Sequence, residues 1–183
     1  MFRRAGSVFA ATLFVIIGLD QASKAFIRSS MSVGLSISVL PDVFSITHVS
    51  NRGAAFGLFQ GHTGFFLVIS VLVLLGIAIA WWYYRPRQRW VVVSLGLIAS
   101  GAVGNLIDRV VAGRVTDFFE IHGWPVFNVA DMALDVGVAI LIAWMLFAPQ
   151  DDSRDDPTGA DAPTLSDMPV EMPEARDERT DIG

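Results

Sequence analysis

The sequence contains no cysteine, which excludes disulfides, thiolate metal sites and cysteine nucleophiles. It also lacks the HExxH motif of zinc peptidases, and its three histidines, His48, His62 and His122, do not have the spacing of metal ligands. The GxSxG motif of a serine hydrolase elbow is absent as well. We therefore expect no metal site and no cofactor.

Charged residues are scarce and unevenly distributed. They make up 17% of the 183 residues, against 53% apolar residues, a balance that soluble domains of this size seldom show. Residues 150–183 contain 11 acidic and 3 basic residues, net −8, whereas residues 1–149 contain 7 acidic and 10 basic residues, net +3. The composition therefore predicts an integral membrane protein with an acidic tail.

The acidic tail and the apolar part form two predicted units. Residues 150–183 are rich in Asp, Glu, Pro and small residues, so they cannot bury enough apolar surface to offset the entropy of ordering. We predict a membrane domain over residues 1–149 and a disordered cytoplasmic tail over residues 150–183.

Four apolar runs are long enough to cross a bilayer, which requires about 20 helical residues. They are residues 8–27, 64–84, 90–107 and 125–149. Glycines 96, 101 and 104 in the third run predict close helix contact. Basic residues at the N-terminus and in the turn 85–89 predict that both termini are cytoplasmic. The predicted fold is an all-α membrane protein with four transmembrane helices.

The pattern changes between the first and second runs. Residues 33–40 and 43–50 alternate around a Pro-Asp turn, which predicts a small β-sheet on the extracytoplasmic side. Residues 51–59 contain glycine and are partly apolar, so we expect a loop or a short interfacial helix. Residues 110–124 are predicted to form a second outward loop.

Polar residues cluster at the outer ends of the third and fourth runs and in the loop between them. They are Asn105, Asp108, Arg109, Asp117, Asn128 and Asp131. The first three are spaced i, i+3, i+4, so they share a helix face, and the last two are spaced i, i+3. The loop therefore brings Asp117 to the same membrane face as Asp131.

Two carboxylates at one place suggest aspartic proteolysis. Ionisable groups in lipid cost about 2.5 to 3.5 kcal/mol each, so they are rarely kept without a use. A close pair of carboxylates shares one proton, which lets one oxygen activate water and the other protonate an amide. We take Asp117 and Asp131 as the candidate pair. Asn105 and Asn128 can orient them, and the Asp108-Arg109 pair can tie the third helix to the loop.

The Asp20-Lys24 pair and Asp135 each allow two interpretations. Asp20 and Lys24 are four residues apart, so they either close the end of the first helix at the membrane surface or belong to the site. Asp135 lies one turn deeper than Asp131, where it either raises the proton affinity of the pair or faces a polar cavity.

Five blocks in order together resemble bacterial lipoprotein signal peptidase, also called signal peptidase II. They are Asp20 to Lys24, Asn51 to Gly57, Gly104 to Arg109, Val115 to Phe118 and Phe127 to Asp131. The resemblance implies a four-helix aspartic peptidase at the outer face of the cytoplasmic membrane of a bacterium. Such an enzyme removes signal peptides from prolipoproteins by cutting before a diacylglyceryl-modified cysteine.

The resemblance also assigns residues. It implies that Asp117 and Asp131 are catalytic. It implies supporting or substrate-binding roles for Asp20, Lys24, Asn51, Asn105, Asp108, Arg109 and Asn128. The expected partners are prolipoprotein substrates and membrane lipids, with no nucleic acid, and we expect a monomer.

Three other functions compete with this one. A serine-lysine peptidase would use a serine near Lys24, but no oxyanion donor is apparent. A proton-coupled transporter would usually show internal repeats, and we detect none between the halves. A purely structural protein would leave Asp117 and Asp131 without a reason to be unpaired by bases.

Overall fold

The computed structural model describes residues 2–53 and 63–148. The helices are α1 (Phe2–Ser30), α2 (Thr63–Tyr84), α3 (Arg89–Ala112) and α4 (Val129–Phe147), and the strands are β1 (Ser36–Leu40), β2 (Phe44–Asn51) and β3 (Val115–Ile121). All four helices are long and apolar enough to cross a membrane, which confirms the predicted fold class. The predicted tail and most of the predicted interfacial segment 51–59 lie outside the described residues.

The helix ends differ from the predicted ones for local reasons. Helix α3 continues to Ala112, where Gly113 adopts φ 68° and donates its N–H to the carbonyl of Arg109 at 3.0 Å. Helix α4 begins later than predicted because Asn128 caps it. The Asn128 side chain accepts the N–H of Asp131 at 3.0 Å, and the Asp131 carboxylate accepts the N–H of Asn128 at 3.2 Å.

The sheet has three antiparallel strands in the order β1-β2-β3. The predicted sheet is therefore present, but the prediction that residues 110–124 form only a loop was wrong, because β3 lies within them. Thr116 and Asp117 of β3 pair with Ser50 and Val49 of β2, respectively. The sequence pattern does not reveal this strand, because residues 115–118 are all buried, whether they are polar or apolar.

The sheet is attached to one end of the helix bundle. Ile27 and Met31 at the end of α1 form a buried apolar cluster with Phe118 of β3. Ile46 and Val129 pack against this cluster, so β2 and the start of α4 meet there too. The burial of these side chains fixes β3 beside the end of α3 and the start of α4.

Helix α3 is the centre of the bundle, and glycines let its neighbours approach. A Cβ atom on Gly101 would lie 2.3 Å from the carbonyl oxygen of Ala130, and one on Gly104 would lie 2.6 Å from Oδ2 of Asp20. A Cβ on Gly96 would lie 3.0 Å from Cβ of Thr12. The predicted close contact of α3 is therefore confirmed against both α1 and α4.

We predict that Gly101→Ala destabilises the protein by about 1 to 3 kcal/mol, because the added methyl group meets backbone that has to shift. The matched control is Gly76→Ala in α2, where an added Cβ meets nothing within 4 Å. Alanine there should be neutral or stabilise by about 0.5 to 1 kcal/mol through helix propensity. Thermal unfolding of the purified variants in detergent measures both, and equal stabilities would contradict the close α3-α4 packing.

Candidate active site

Strand β3 holds the first candidate acid. Asp117 is 2% exposed, and both of its carboxylate oxygens accept hydrogen bonds from side-chain amides. Asn51 at the end of β2 donates to Oδ2 at 2.8 Å, and Asn128 donates to Oδ1 at 2.6 Å. The two amides fix the orientation of the carboxyl group without being able to take its proton.

The first turn of α4 holds the second candidate acid. Oδ1 of Asp131 accepts a hydrogen bond from Asn105 of α3 at 2.7 Å, and Oδ2 accepts the N–H of Asn128. Asn128, which is fully buried, also donates to Oδ1 of Asn105 at 3.2 Å. Asn128 thus connects the two acids. It contacts Asp117 directly, and it contacts Asp131 both through the helix cap and through Asn105.

Both acids line one cavity of about 270 Å³. Asn51, Asn105 and Arg109 also line it. Four different elements, β2, β3, α3 and α4, therefore bring their polar groups to one space.

The surroundings of Asp117 favour its protonated form. Burial, and then the charge of Asp131, raise the pKa of Asp117 to about 6, although the hydrogen bonds from Asn51 and Asn128 and the charge of Lys24 lower it. Asp117 therefore keeps its proton at pH values where an ordinary aspartate is ionised. A carboxyl that titrates near neutrality can both donate and accept a proton under working conditions.

Lys24 joins the site to α1. Its fully buried ammonium group lies 2.9 Å from Oδ2 of Asp20 and 3.2 Å from Oδ2 of Asp108, and it donates to Oδ1 of Asn105 at 3.0 Å. Asp20 also accepts the N–H of Ala130 in the first turn of α4 at 2.9 Å. Asp20 and Lys24 are therefore buried inside the bundle, and Lys24 contacts Asn105, one of the residues that line the cavity.

Asp108 and Arg109 have separate contacts. Asp108 accepts the N–H of Thr116 at 3.2 Å, so it ties α3 to β3 in the way that we expected. Arg109 does not share that contact. Its guanidinium lies 5.1 Å from the ring centroid of Phe66 in α2. Arg109 therefore connects the cavity wall to α2.

The sequence analysis missed one member of the ionic network. Arg28 lies 3.5 Å from Oδ1 of Asp108 and donates to Thr116 at 3.2 Å. The signal was available, because Asp20, Lys24 and Arg28 are spaced i, i+4, i+8 on one face of α1.

The surroundings of Asp135 fit the second of our two interpretations, in which it faces a polar cavity. Its side chain is exposed and lines the cavity one turn from Asp131. Within residues 2–53 and 63–148, no group of three or more His, Asp or Glu side chains is placed to hold a metal ion.

Comparison with known families identifies the chain. The family model described as signal peptidase II matches residues 12–147. The chain belongs to the signal peptidase II family. It is a peptidase of this family and a bacterial membrane protein with four helices that can span the bilayer.

Relatives and solved structures agree with this assignment. The lipoprotein signal peptidase of Pelotomaculum thermopropionicum is 42% identical over 145 residues, which cover 77% of this chain and 95% of that one. The lipoprotein signal peptidase of Halothermothrix orenii is 44% identical over 139 residues, covering 75% and 94%. A solved structure described as a bacterial membrane enzyme is 31% identical with a TM-score of 0.73, covering 76% of this chain and 88% of that chain.

The raised pKa of Asp117 predicts a pH-dependent stability for this signal peptidase II. The carboxyl has a pKa of about 6 in the folded protein and a reference pKa of 3.8. Its burial therefore does not lower the free energy of unfolding below pH 3.8, and lowers it increasingly as the pH rises to about 6. Asp117→Asn removes this dependence. The variant should gain stability relative to wild type by about 3 kcal/mol between pH 3.5 and pH 7.

Chemical unfolding in detergent at several pH values measures that difference. Asp42→Asn, on an exposed turn with φ 59°, gives the effect of removing one surface carboxylate. A difference between Asp117→Asn and wild type that stays constant with pH would contradict the proton uptake by Asp117.

Proposed function

We propose that this protein is an intramembrane aspartic endopeptidase in which Asp117 and Asp131 activate the attacking water. The proposed substrates are diacylglyceryl-modified prolipoproteins, which it cuts before the lipidated cysteine to release the signal peptide. The observation that carries this proposal is that the two carboxylates line one cavity and are connected by one buried asparagine, Asn128.

The proposed reaction needs one proton on the pair. The ionised carboxylate takes a proton from water as the water oxygen attacks the scissile carbonyl carbon, and the protonated carboxyl donates to the carbonyl oxygen. When the tetrahedral intermediate collapses, the C–N bond breaks, the leaving nitrogen takes a proton from the carboxyl that received the water proton, and the other carboxylate takes the proton of one hydroxyl of the intermediate. The raised pKa of Asp117 supports this scheme, because a proton remains available near neutral pH.

The remaining polar residues are proposed to position the pair. Asn51, Asn105 and Asn128 donate to the carboxylates and cannot exchange protons with them. Asp20, Lys24 and Asp108 hold Asn105 and the start of α4 in place. Arg109 lines the cavity and is proposed to donate to polar atoms of the substrate. This division keeps proton transfer with the two aspartates.

The proposed orientation places the site at the outer membrane face. The turn between α2 and α3 contains Arg85, Arg87 and Arg89, and it lies at the end of α3 opposite to the sheet. Because basic loops favour the cytoplasm, both termini are proposed to be cytoplasmic. We also keep the proposal of a membrane domain over residues 1–149 and a disordered tail over residues 150–183.

We predict that Asp117→Asn and Asp131→Asn each lower the cleavage rate by about 10² to 10⁴-fold or more, because an amide cannot transfer the proton. The assay is cleavage of a lipid-modified lipobox peptide by the purified protein in detergent. Asp42→Asn serves as the matched control and should keep wild-type activity. If either site variant were folded and cleaved at close to the wild-type rate, the dyad would be ruled out.

For Asp135→Ala we expect reduced but measurable activity, by about fivefold, because a charge a few ångströms away in a wet cavity changes energies by about 1 kcal/mol. Asp135→Asn, measured in the same assay, separates the charge from the hydrogen-bonding capacity of the side chain. Complete loss of cleavage in Asp135→Ala would instead make Asp135 part of the catalytic set.

A further inference from the structure

A second cavity, of about 340 Å³, lies on the other face of the sheet from the aspartate pair. Asn51 and Asp117 line the active-site cavity, whereas their chain neighbours Ser50 and Thr116 line the second one. Ser50 and Thr116 are paired across β2 and β3. Because successive side chains of a strand point to opposite faces, the sheet separates the two cavities.

The second cavity is lined by hydrogen-bond donors and positive charge. Its polar lining residues are Arg28, Ser32, His48, Ser50, Arg114 and Thr116. Among the described residues that line it, none is acidic. Two guanidinium groups beside several hydroxyl groups match the requirements of a phosphate group, which has several acceptor oxygens and a negative charge.

The charges around this cavity do not cancel. Asp20 and Asp108 are matched by Lys24 and Arg28, since each of these acids lies within 4 Å of one or both bases. Arg114 is exposed, and no carboxylate of the described residues forms an ion pair with it. The cavity therefore keeps a positive charge that an anion could neutralise.

Two of the lining residues are held in position before any ligand arrives. Nη1 of Arg28 donates to Oγ1 of Thr116 at 3.2 Å and lies 3.5 Å from Oδ1 of Asp108, while 40% of the Arg28 side chain is exposed. The buried His48 donates its Nδ1–H to the carbonyl of Met31 at 2.8 Å, so its neutral ring is fixed in place and has no second N–H to offer an anion. A preorganised donor set loses little entropy when it binds an anion.

The surroundings of the cavity are apolar and exposed. Arg28 lies in the last turn of α1, and Arg114 follows the end of α3. Both helices are long and apolar enough to cross a membrane, and within two to four residues of these arginines Phe26 is 68% exposed and Val110 and Val111 are 69% and 80% exposed. The cavity therefore lies at the ends of two helices that can span the bilayer, the level at which a phospholipid places its headgroup.

We propose that this cavity binds the phosphate group of an anionic phospholipid. The proposal does not depend on the catalytic role of Asp117 and Asp131, because those residues line the other cavity. A lipid bound there would hold the end of α1, β2 and β3 together at the membrane surface.

The test is equilibrium binding of phosphatidylglycerol to the purified full chain, measured by native mass spectrometry in detergent, with phosphatidylcholine as the zwitterionic comparison. Arg114→Gln and Arg28→Gln should each weaken phosphatidylglycerol binding by about fivefold. The matched control Arg87→Gln removes an exposed arginine from the turn between α2 and α3 and should change binding by less than about twofold. Asp117→Asn should bind like wild type.

Three results would overturn the proposal. They are wild-type binding by Arg114→Gln, equal weakening by Arg87→Gln, and displacement of phosphatidylglycerol by inorganic phosphate at comparable concentration, which would assign the cavity to a free anion. Because Arg28 contacts Asp108, Arg114→Gln is the decisive variant. Its unfolding temperature without phosphatidylglycerol should equal that of wild type, which shows that the fold is retained.

Discussion

The rest of the site depends on the contacts of the buried ammonium group of Lys24. It has no exposed surface, and its contacts with Asp20, Asp108 and Asn105 join α1 to α3. An ion pair in this environment is costly to desolvate and very costly to break, by about 3 to 5 kcal/mol, because one charge would remain unmatched. The charges therefore hold the amide of Asn105 in one orientation, and that amide in turn holds Asp131.

Much of the fold follows from composition and spacing. The four apolar runs predict the four helices because a helix needs about 20 consecutive apolar residues to cross a bilayer with its backbone hydrogen bonds satisfied within the segment. The glycines of α3 predict close packing, since a missing Cβ is visible in the sequence. The positions i, i+3 and i+4 also suffice to bring Asn105 and Asp108 to one helix face.

Other features depend on contacts between distant segments, so local pattern could not reveal them. Strand β3 begins with four residues, polar and apolar, that are all buried, and the partner that makes it a strand, β2, lies more than 60 residues away. We expected Arg109 to help tie the end of α3 to the following loop, but its aromatic neighbour Phe66 belongs to α2. The bridging role of Asn128 likewise arises only when β3, α3 and α4 meet. Helix termini are set by such caps and not by the limit of the apolar run.

The hydrogen bonds of Asn128 also determine what that residue is unable to do. An amide group offers two N–H donors, and those of Asn128 are both occupied, by Asp117 and by Asn105. Its carbonyl oxygen accepts the N–H of Asp131. The side chain therefore has no N–H left to donate to an incoming peptide. Asn128 is therefore a structural link inside the protein. A substrate has to be bound by other side chains at the edge of the cavity that still have free hydrogen-bonding groups.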